Sequence, residues 1–309
     1  MAVTSTAVAA STRLATGGGA DTVTVERLAG GFALHTEGGD DAVTLYSSLA
    51  GTAAVTNRVV GLIALDGGEG TDTVSVVSRS GLAENVTVGV SGYTGLKGTG
   101  TGVGQASFES ASLTLGDGVN TVTVDAPATP MRIDAGGGND VFNVRSTTSV
   151  LTLLGSAGND IFNLGSIAPR TGGNLNALAG AVALDGGDGS DWAMLDDKGD
   201  AAQSSGALTS TVVTGLGLGA GVSYDRLERL DIALGIHTGN LLTVVSTAPG
   251  TATWVSRGKA APVQVTGGGV NAFTSGGASL VTSTSLGGEG GAAALTTIGA
   301  PPMLPSWLD

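Results

Sequence analysis

Short runs that alternate β-branched and small polar residues recur along most of the chain. Thr22-Val23-Thr24-Val25, Thr73-Val74-Ser75-Val76, Thr121-Val122-Thr123-Val124 and Val141-Phe142-Asn143-Val144 are examples. A period of two in Val, Thr and Phe predicts strands buried on one face. Val23, Val25, Val74, Val76, Val122, Val124, Phe142, Val144, Phe162 and Leu164 then point inward. A second apolar run precedes the next turn, as in Met131-Arg132-Ile133, Val150-Leu151-Thr152-Leu153 and Ala181-Val182-Ala183-Leu184. The best helical candidate, Tyr224 to Leu230, fits a strand lead-in equally well.

The runs are separated by Gly-rich turns that an acid or amide closes: Asp21, Asp41, Asp72, Asn120, Asp140, Asp160, Asp191 and Asn240. Their spacings are 20, 31, 48 and 20 residues, then 20, 31 and 49, so the same order of short and long intervals recurs. The pattern returns at 119 residues: Leu65-Asp66-Gly67-Gly68-Glu69-Gly70-Thr71-Asp72 as Leu184-Asp185-Gly186-Gly187-Asp188-Gly189-Ser190-Asp191, and Phe108-Glu109 as Leu227-Glu228. Repetition on this scale specifies stacked copies.

The expected fold is all-β, a parallel β-solenoid (β-helix) with about 20–24 residues per coil. Parallel crossovers prefer the right hand. Residues 1–300 then form one solenoid: 2–16 a partial copy, 17–135 and 136–254 full copies, and 255–300 a degenerate one. Residues 301–309 are a tail or cap, and 83–107 and 198–223 read as excursions from the coil. Val3-Thr4-Ser5-Thr6-Ala7 resembles Val244-Val245-Ser246-Thr247-Ala248, so the first residues already lie in repeat phase. Solenoid ends of that kind predict head-to-tail self-association.

Composition narrows the chemistry. Gly is 54 of 309 residues and aromatics only 4%, which implies a narrow core of Val, Leu and Ile. The formal charge of −13 disfavours nucleic acid and anionic membranes, and suits cation binding. With no Cys, disulfides and thiolate chemistry are excluded. No apolar run is long enough to span a membrane, and the first residues lack the basic and apolar regions of a secretory signal.

Two turns carry Gly-Gly-x-Gly-x-Asp in full, Gly67 to Asp72 and Gly186 to Asp191; those ending at Asp21, Asp41, Asp140 and Asp160 carry it in part. The pattern resembles the hemolysin-type calcium-binding (RTX-like) repeat, and the chain is similar to glycine-rich β-helical bacterial surface proteins. The resemblance implies Ca2+, which takes six or more oxygens in flexible geometry. It makes Asp72 and Asp191 the first side-chain ligands, then Asp140, Asp160, Asp21 and Asp41. Gly67, Gly68, Gly70, Gly186, Gly187 and Gly189 supply the turn that carries them. A recurrence of 20 residues rather than nine implies ions along one edge only. Read without the resemblance, the same turns are tight bends in which Asp or Asn caps the backbone. At Asn120 and Asn240 that reading, with stacked asparagines, is preferred.

The remaining candidates are weaker. His35 and His237 belong to no constellation and read as surface or turn residues. Asp40-Asp41 and Asp196-Asp197 are carboxylate pairs of the kind glycosidases use, without an accompanying basic or aromatic groove. Arg226, Glu228, Arg229 and Asp231 read as a solvated strand. Trp192 should point outward and lie under a loop. Thr22, Thr24, Thr44, Thr73, Thr121 and Thr123 face outward and suggest a flat hydroxyl array. The expected function is a non-enzymatic, calcium-stabilised structural protein of the extracellular bacterial surface, in a fibre, matrix or adhesin. A glycan- or ice-binding module is the alternative, and a polysaccharide-active enzyme is the least favoured.

Overall fold

A computed structural model describes residues 2–3, 11–26, 30–47, 62–96, 102–256, 263–269 and 273–276. The expected tail at 301–309 and most of the degenerate copy lie outside these residues. The chain divides into two compact units, Met1–Phe142 with Thr147–Gly158, and Asn143–Ser146 with Asn159–Asp309. Among the described residues both units are all-β, and most strand pairs are parallel, an arrangement compatible with a β-solenoid.

In the first unit, successive strands alternate between two sheets. One sheet takes Thr22–Val25, Ala42–Tyr46, Thr73–Val77, Ser110–Thr114, Met131–Asp134 and Leu151–Gly158, all parallel neighbours in that order. The other begins with Thr12–Ala15, Phe32–His35, Ile63–Asp66 and Val103–Ala106, also parallel. Thr12 pairs with Phe32 and Thr22 with Ala42, so one regular coil advances 20 residues.

The excursion at 83–107 is a three-stranded insertion in the second sheet. Val103–Ala106 runs antiparallel to Gly92–Thr94, which runs antiparallel to Asn85–Gly89. Asn85–Gly89 then resumes parallel pairing with Thr121–Asp125. The second unit repeats the device. Val182–Gly189 pairs in parallel with Val222–Asp225, the meander of Val222–Asp225, Val212–Gly215 and Ser205–Leu208 is antiparallel, and Ser205–Leu208 pairs in parallel with Leu241–Ser246. Its other sheet is the parallel succession Ile161–Leu164, Trp192–Asp196, Arg229–Ala233 and Ala252–Ser256.

The alternation in sequence becomes alternation in burial. All ten residues expected to point inward are buried, from Val23 and Val25 to Phe162 and Leu164. Large side chains, notably Phe32, Phe142 and Phe162, are spaced among Val and Leu. Each strand covers its apolar face only by stacking on the next.

Candidate functional site

The residues that close the Gly-rich turns fold inward beneath the turns, except Asp21, which is half-buried. Asp72 and Asp160 are 0% exposed, Asp140 and Asp191 1%, and Asp41 2%. A buried carboxylate needs hydrogen-bond donors, and the neighbouring coil supplies one. The Asp21 backbone N–H donates to Asp41 Oδ1 at 2.7 Å, and the Asp41 N–H to Asp72 Oδ1 at 2.8 Å. The Asp72 N–H donates onward to Glu109 Oε2 at 2.6 Å, and the Glu109 N–H returns to the Asp72 carbonyl at 3.0 Å. A second ladder in the same unit joins the Glu84 N–H to Asn120 Oδ1 at 3.0 Å and the Asn120 N–H to Asp140 Oδ1 at 2.6 Å.

The second unit reproduces these contacts one repeat later. The Asp160 N–H donates to Asp191 Oδ1 at 2.8 Å, the Asp191 N–H to Glu228 Oε2 at 2.6 Å, and the Ser204 N–H to Asn240 Oδ1 at 2.8 Å. The acid or amide preceding Asp41 and Asp160 bonds in the opposite direction. Asp40 Oδ1 accepts the Thr71 N–H at 2.9 Å, and Asn159 Oδ1 accepts the Ser190 N–H at 2.9 Å. Adjacent turns are therefore clasped from both sides. Asp40 and Asp41, read above as a possible catalytic pair, form one such clasp.

The glycines fit this packing. A Cβ on Gly67 would stand 2.1 Å from the Ser107 carbonyl oxygen and 2.7 Å from Asp72 Oδ2. A Cβ on Gly186 would stand 2.1 Å from the Arg226 carbonyl and 2.6 Å from Asp191 Oδ2. Gly68 and Gly187 have φ of 92° and 100°, the left-handed region glycine occupies without strain.

Asn120 shows what the inward position asks of its second side-chain atom. Its Nδ2 donates to the Gly116 carbonyl at 3.1 Å and the Ala135 carbonyl at 3.0 Å. Ala135 follows the adjoining strand of the next coil, as Ser107 does beside Asp72. Asp72 Oδ2 and Asp191 Oδ2 are buried without a protein hydrogen-bond partner. Burial, first, drives both carboxyls above the usual carboxylate range, against the lowering effect of the backbone N–H each accepts; nearby Asp41 and Glu109 add to the rise at Asp72, and Glu228 at Asp191.

These turns meet part of the demand of a calcium shell. Each presents one buried carboxylate oxygen without a protein donor, beside a carbonyl. Among the described residues no three His, Cys, Asp or Glu side chains form a metal-holding group. The side chains thus offer the ion a negatively charged oxygen but fall short of its oxygen number, and backbone carbonyls would have to complete it. The expectation of a single edge is corrected. In the first unit, the turns closed by Asp21, Asp41 and Asp72 lead from the second sheet to the first, while those closed by Asn120 and Asp140 lead back.

Other expected features fall elsewhere. His35 Nδ1 lies 3.0 Å from Asp66 Oδ2 on the adjacent strand. His237 Nδ1 accepts the Gly239 N–H at 2.9 Å. Trp192 points outward as expected yet is only 8% exposed, and the Arg229 guanidinium lies 4.7 Å above its ring. Arg229 also grips Asp231 through two hydrogen bonds of 2.9 and 2.7 Å. The charged strand is therefore not simply solvated, and Glu228 belongs to the ladder. Thr22, Thr24, Thr44 and Thr73 share one sheet, whereas Thr121 and Thr123 lie in the other, which divides the hydroxyl array. The parts played by Glu84, Glu109 and Glu228 were missed. Glu109 and Glu228 carried a signal, since they correspond at the 119-residue spacing.

Comparison with protein-family models, curated proteins and solved structures returns no match for this chain.

Proposed function

We propose that the chain is a structural repeat protein, a parallel β-solenoid whose coils are fixed in register by interior acid and amide ladders. The observation that carries this reading is the recurrence of the Asp41–Asp72–Glu109 ladder as Asp160–Asp191–Glu228. Polar side chains at these turns are spent on joining coil to coil. The right hand follows from the preference of parallel crossovers. Acidity, the lack of Cys and repetition support an extracellular role in a bacterial surface fibre, matrix or adhesin, with self-association through the solenoid ends. Calcium belongs to this reading as a stabiliser at the Asp72 and Asp191 turns, supported by their buried Oδ2 atoms.

Negative-stain microscopy of the purified protein, with calcium and then with excess chelator, tests the proposal. Fibres or rods that soften on chelation are expected. Compact monomers indifferent to calcium would remove both the assembly and the ion.

A second reading, glycan or ice binding, has one specific support. In the first unit a shallow depression of about 450 Å³ runs across outward residues including Thr44, Thr73, Ser75, Ser110, Ser112 and Thr152. Ser112 Oγ donates to Ser75 Oγ at 3.0 Å, so part of this hydroxyl supply is already satisfied internally. Co-sedimentation with insoluble polysaccharide and an ice-growth assay distinguish this reading; failure in both sinks it.

A further inference from the structure

Between the two copies of the repeat, positions that face the core or close the turns keep their character, and the outward positions between them do not. Val74, Val76, Ala111 and Leu113 return 119 residues later as Ala193, Leu195, Leu230 and Ile232, and Asp72 and Glu109 as Asp191 and Glu228. The outward residues of the same strands, Thr73, Ser75, Ser110 and Ser112, return as Trp192, Met194, Arg229 and Asp231. The coil therefore does not require hydroxyls at these places. Its strands also form with Trp and Met there, so the Ser and Thr of the first unit need another explanation.

In the first unit the hydroxyls stand in a row that crosses the strands. The register places Thr44 beside Ser75, Ser75 beside Ser112, Ser112 beside Arg132, and Arg132 beside Thr152. Neighbours in such a row are ~4.8 Å apart, close to the advance per residue of an extended 1,4-linked sugar chain. The row lines the depression of about 450 Å³, a volume in the range of small-ligand clefts. Pro130 and Val150 add apolar surface beside it.

Charge marks one position of the row. The chain has 26 acidic and 13 basic residues, yet among the described residues Arg132 is the one charged side chain lining the depression. Arg132 is 51% exposed and meets Asp134 by a single contact, Nη1 to Oδ2 at 3.3 Å. Asp134 is engaged elsewhere, since its Oδ1 accepts the Ser156 hydroxyl at 2.7 Å and the Gly136 N–H at 3.2 Å. An exposed pair of this kind holds weakly, and the guanidinium keeps a planar pair of N–H groups of the kind that fits a carboxylate. In the second unit Arg229 has no such freedom, because two hydrogen bonds fix it to Asp231 and it lies over Trp192.

Resting on the second reading above, in which this face takes a glycan, we propose that the depression binds a linear acidic polysaccharide. A uronate chain lies along the hydroxyl row with one carboxylate on Arg132, held through two N–H groups. Thr44, Ser75 and Thr152 exchange hydrogen bonds with the sugar hydroxyls. Ser75 Oγ accepts from Ser112 and still has its own proton to give. The Thr methyls, Pro130 and Val150 meet the C–H faces of the rings.

The net charge of −13 opposes any general attraction for polyanions, so binding has to be local to the Arg132 row. A chain laid on the row meets about one side chain per sugar residue. Affinity therefore rises with oligomer length until the row from Thr44 to Thr152 is covered. The carboxylate contact is exposed, so affinity falls as salt is added.

Titration of the full chain with polygalacturonate and with its fully methyl-esterified form tests this, in chelator so that calcium does not gel the polymer. The ester keeps the sugar backbone and removes the charge, and should bind about tenfold more weakly. Arg132→Ala should lose a similar factor toward polygalacturonate. Arg132→Lys should recover only part of it, since an ammonium lacks the guanidinium fork. Thr152→Val should lose about threefold. Arg226→Ala removes a guanidinium of the second unit that is 52% exposed, and should bind as the wild type does. Equal binding of acid and ester, unchanged in Arg132→Ala, overturns the acidic class and leaves the glycan reading standing. A loss in Arg226→Ala as large as in Arg132→Ala overturns the site. Binding to neither polymer overturns the proposal together with the glycan reading of this face.

Discussion

Asp72 Oδ1 accepts the Asp41 backbone N–H at 2.8 Å while the Asp72 N–H donates to Glu109 Oε2 at 2.6 Å, so one residue is both acceptor and donor in the same stack. Asp191 repeats both roles with Asp160 and Glu228. Truncating either Asp strands a buried N–H on its neighbour. Asp72→Ala and Asp191→Ala should each cost about 1–3 kcal/mol, measured as a lowered urea midpoint. A loss below about 0.5 kcal/mol, within the usual range for a surface substitution, would mean that the ladder does not hold the coils.

The amide at Asn120 gives a sharper comparison. Asp72→Asn should be neutral or stabilising in chelator at pH 7, since an amide keeps the acceptor and supplies a donor toward the carbonyl side. Asn120→Asp should be destabilised by about 1–3 kcal/mol, because a carboxylate would then face the Gly116 and Ala135 carbonyls. If Asp72 holds calcium, Asp72→Asn instead loses stability in calcium and not in chelator. Melts of both variants in the two buffers separate the roles.

Glycine close to the ladder is the next test. Gly67→Ala and Gly186→Ala place a methyl against backbone carbonyls and should each cost about 1–3 kcal/mol or more. Gly81→Ala is the control, because a Cβ there meets nothing within 4 Å. Similar unfolding midpoints for Gly67→Ala and Gly81→Ala would contradict the packing described.

Arg229 lies over Trp192 at 4.7 Å and near Trp254 at 5.7 Å. Arg229→Ala should expose Trp192, red-shift tryptophan emission and cost about 0.5–1 kcal/mol or somewhat more. Arg229→Lys should rescue only partly, since an ammonium cannot form the two-pronged contact to Asp231. Unshifted emission in Arg229→Ala would show that Arg229 does not shield the ring.

The strands were legible because their information is local. Val23 and Val25 alternate with Thr22 and Thr24, and burial follows that alternation whatever lies alongside. The repeat was legible for the same reason, since 119-residue spacing is a property of the string. The direction of the turn carboxylates was not. Whether Asp72 faces an ion or the interior depends on the coil above, and Glu109, which completes that coil, has no Gly-rich turn to announce it. Residues 83–107 carried inward Val86, Val88 and Tyr93, but pairing over 36 residues with 121–125 is not a local signal. The divided Thr array has a related cause: Thr22 and Thr121 have like sequence surroundings but lie on different sheets.

The clasps also bear on how such a chain avoids folding wrongly. Thr22 to Val25 and Thr121 to Val124 are the same tetrapeptide, and Thr73 to Val76 differs from it only by Ser75. By apolar pattern alone these segments are interchangeable partners, and interchangeable strands invite misassembly. The polar residues at the turns are not all interchangeable. Glu109 and Asn120 differ from Asp41, Asp72 and Asp140 in reach or in the protons they carry, and each meets a specified neighbour. Within a copy, a coil docked one step out of order would set Glu or Asn where Asp belongs and bury a mismatched donor or acceptor. The ladder thus gives near-identical strands an order of assembly that their hydrophobic faces do not encode.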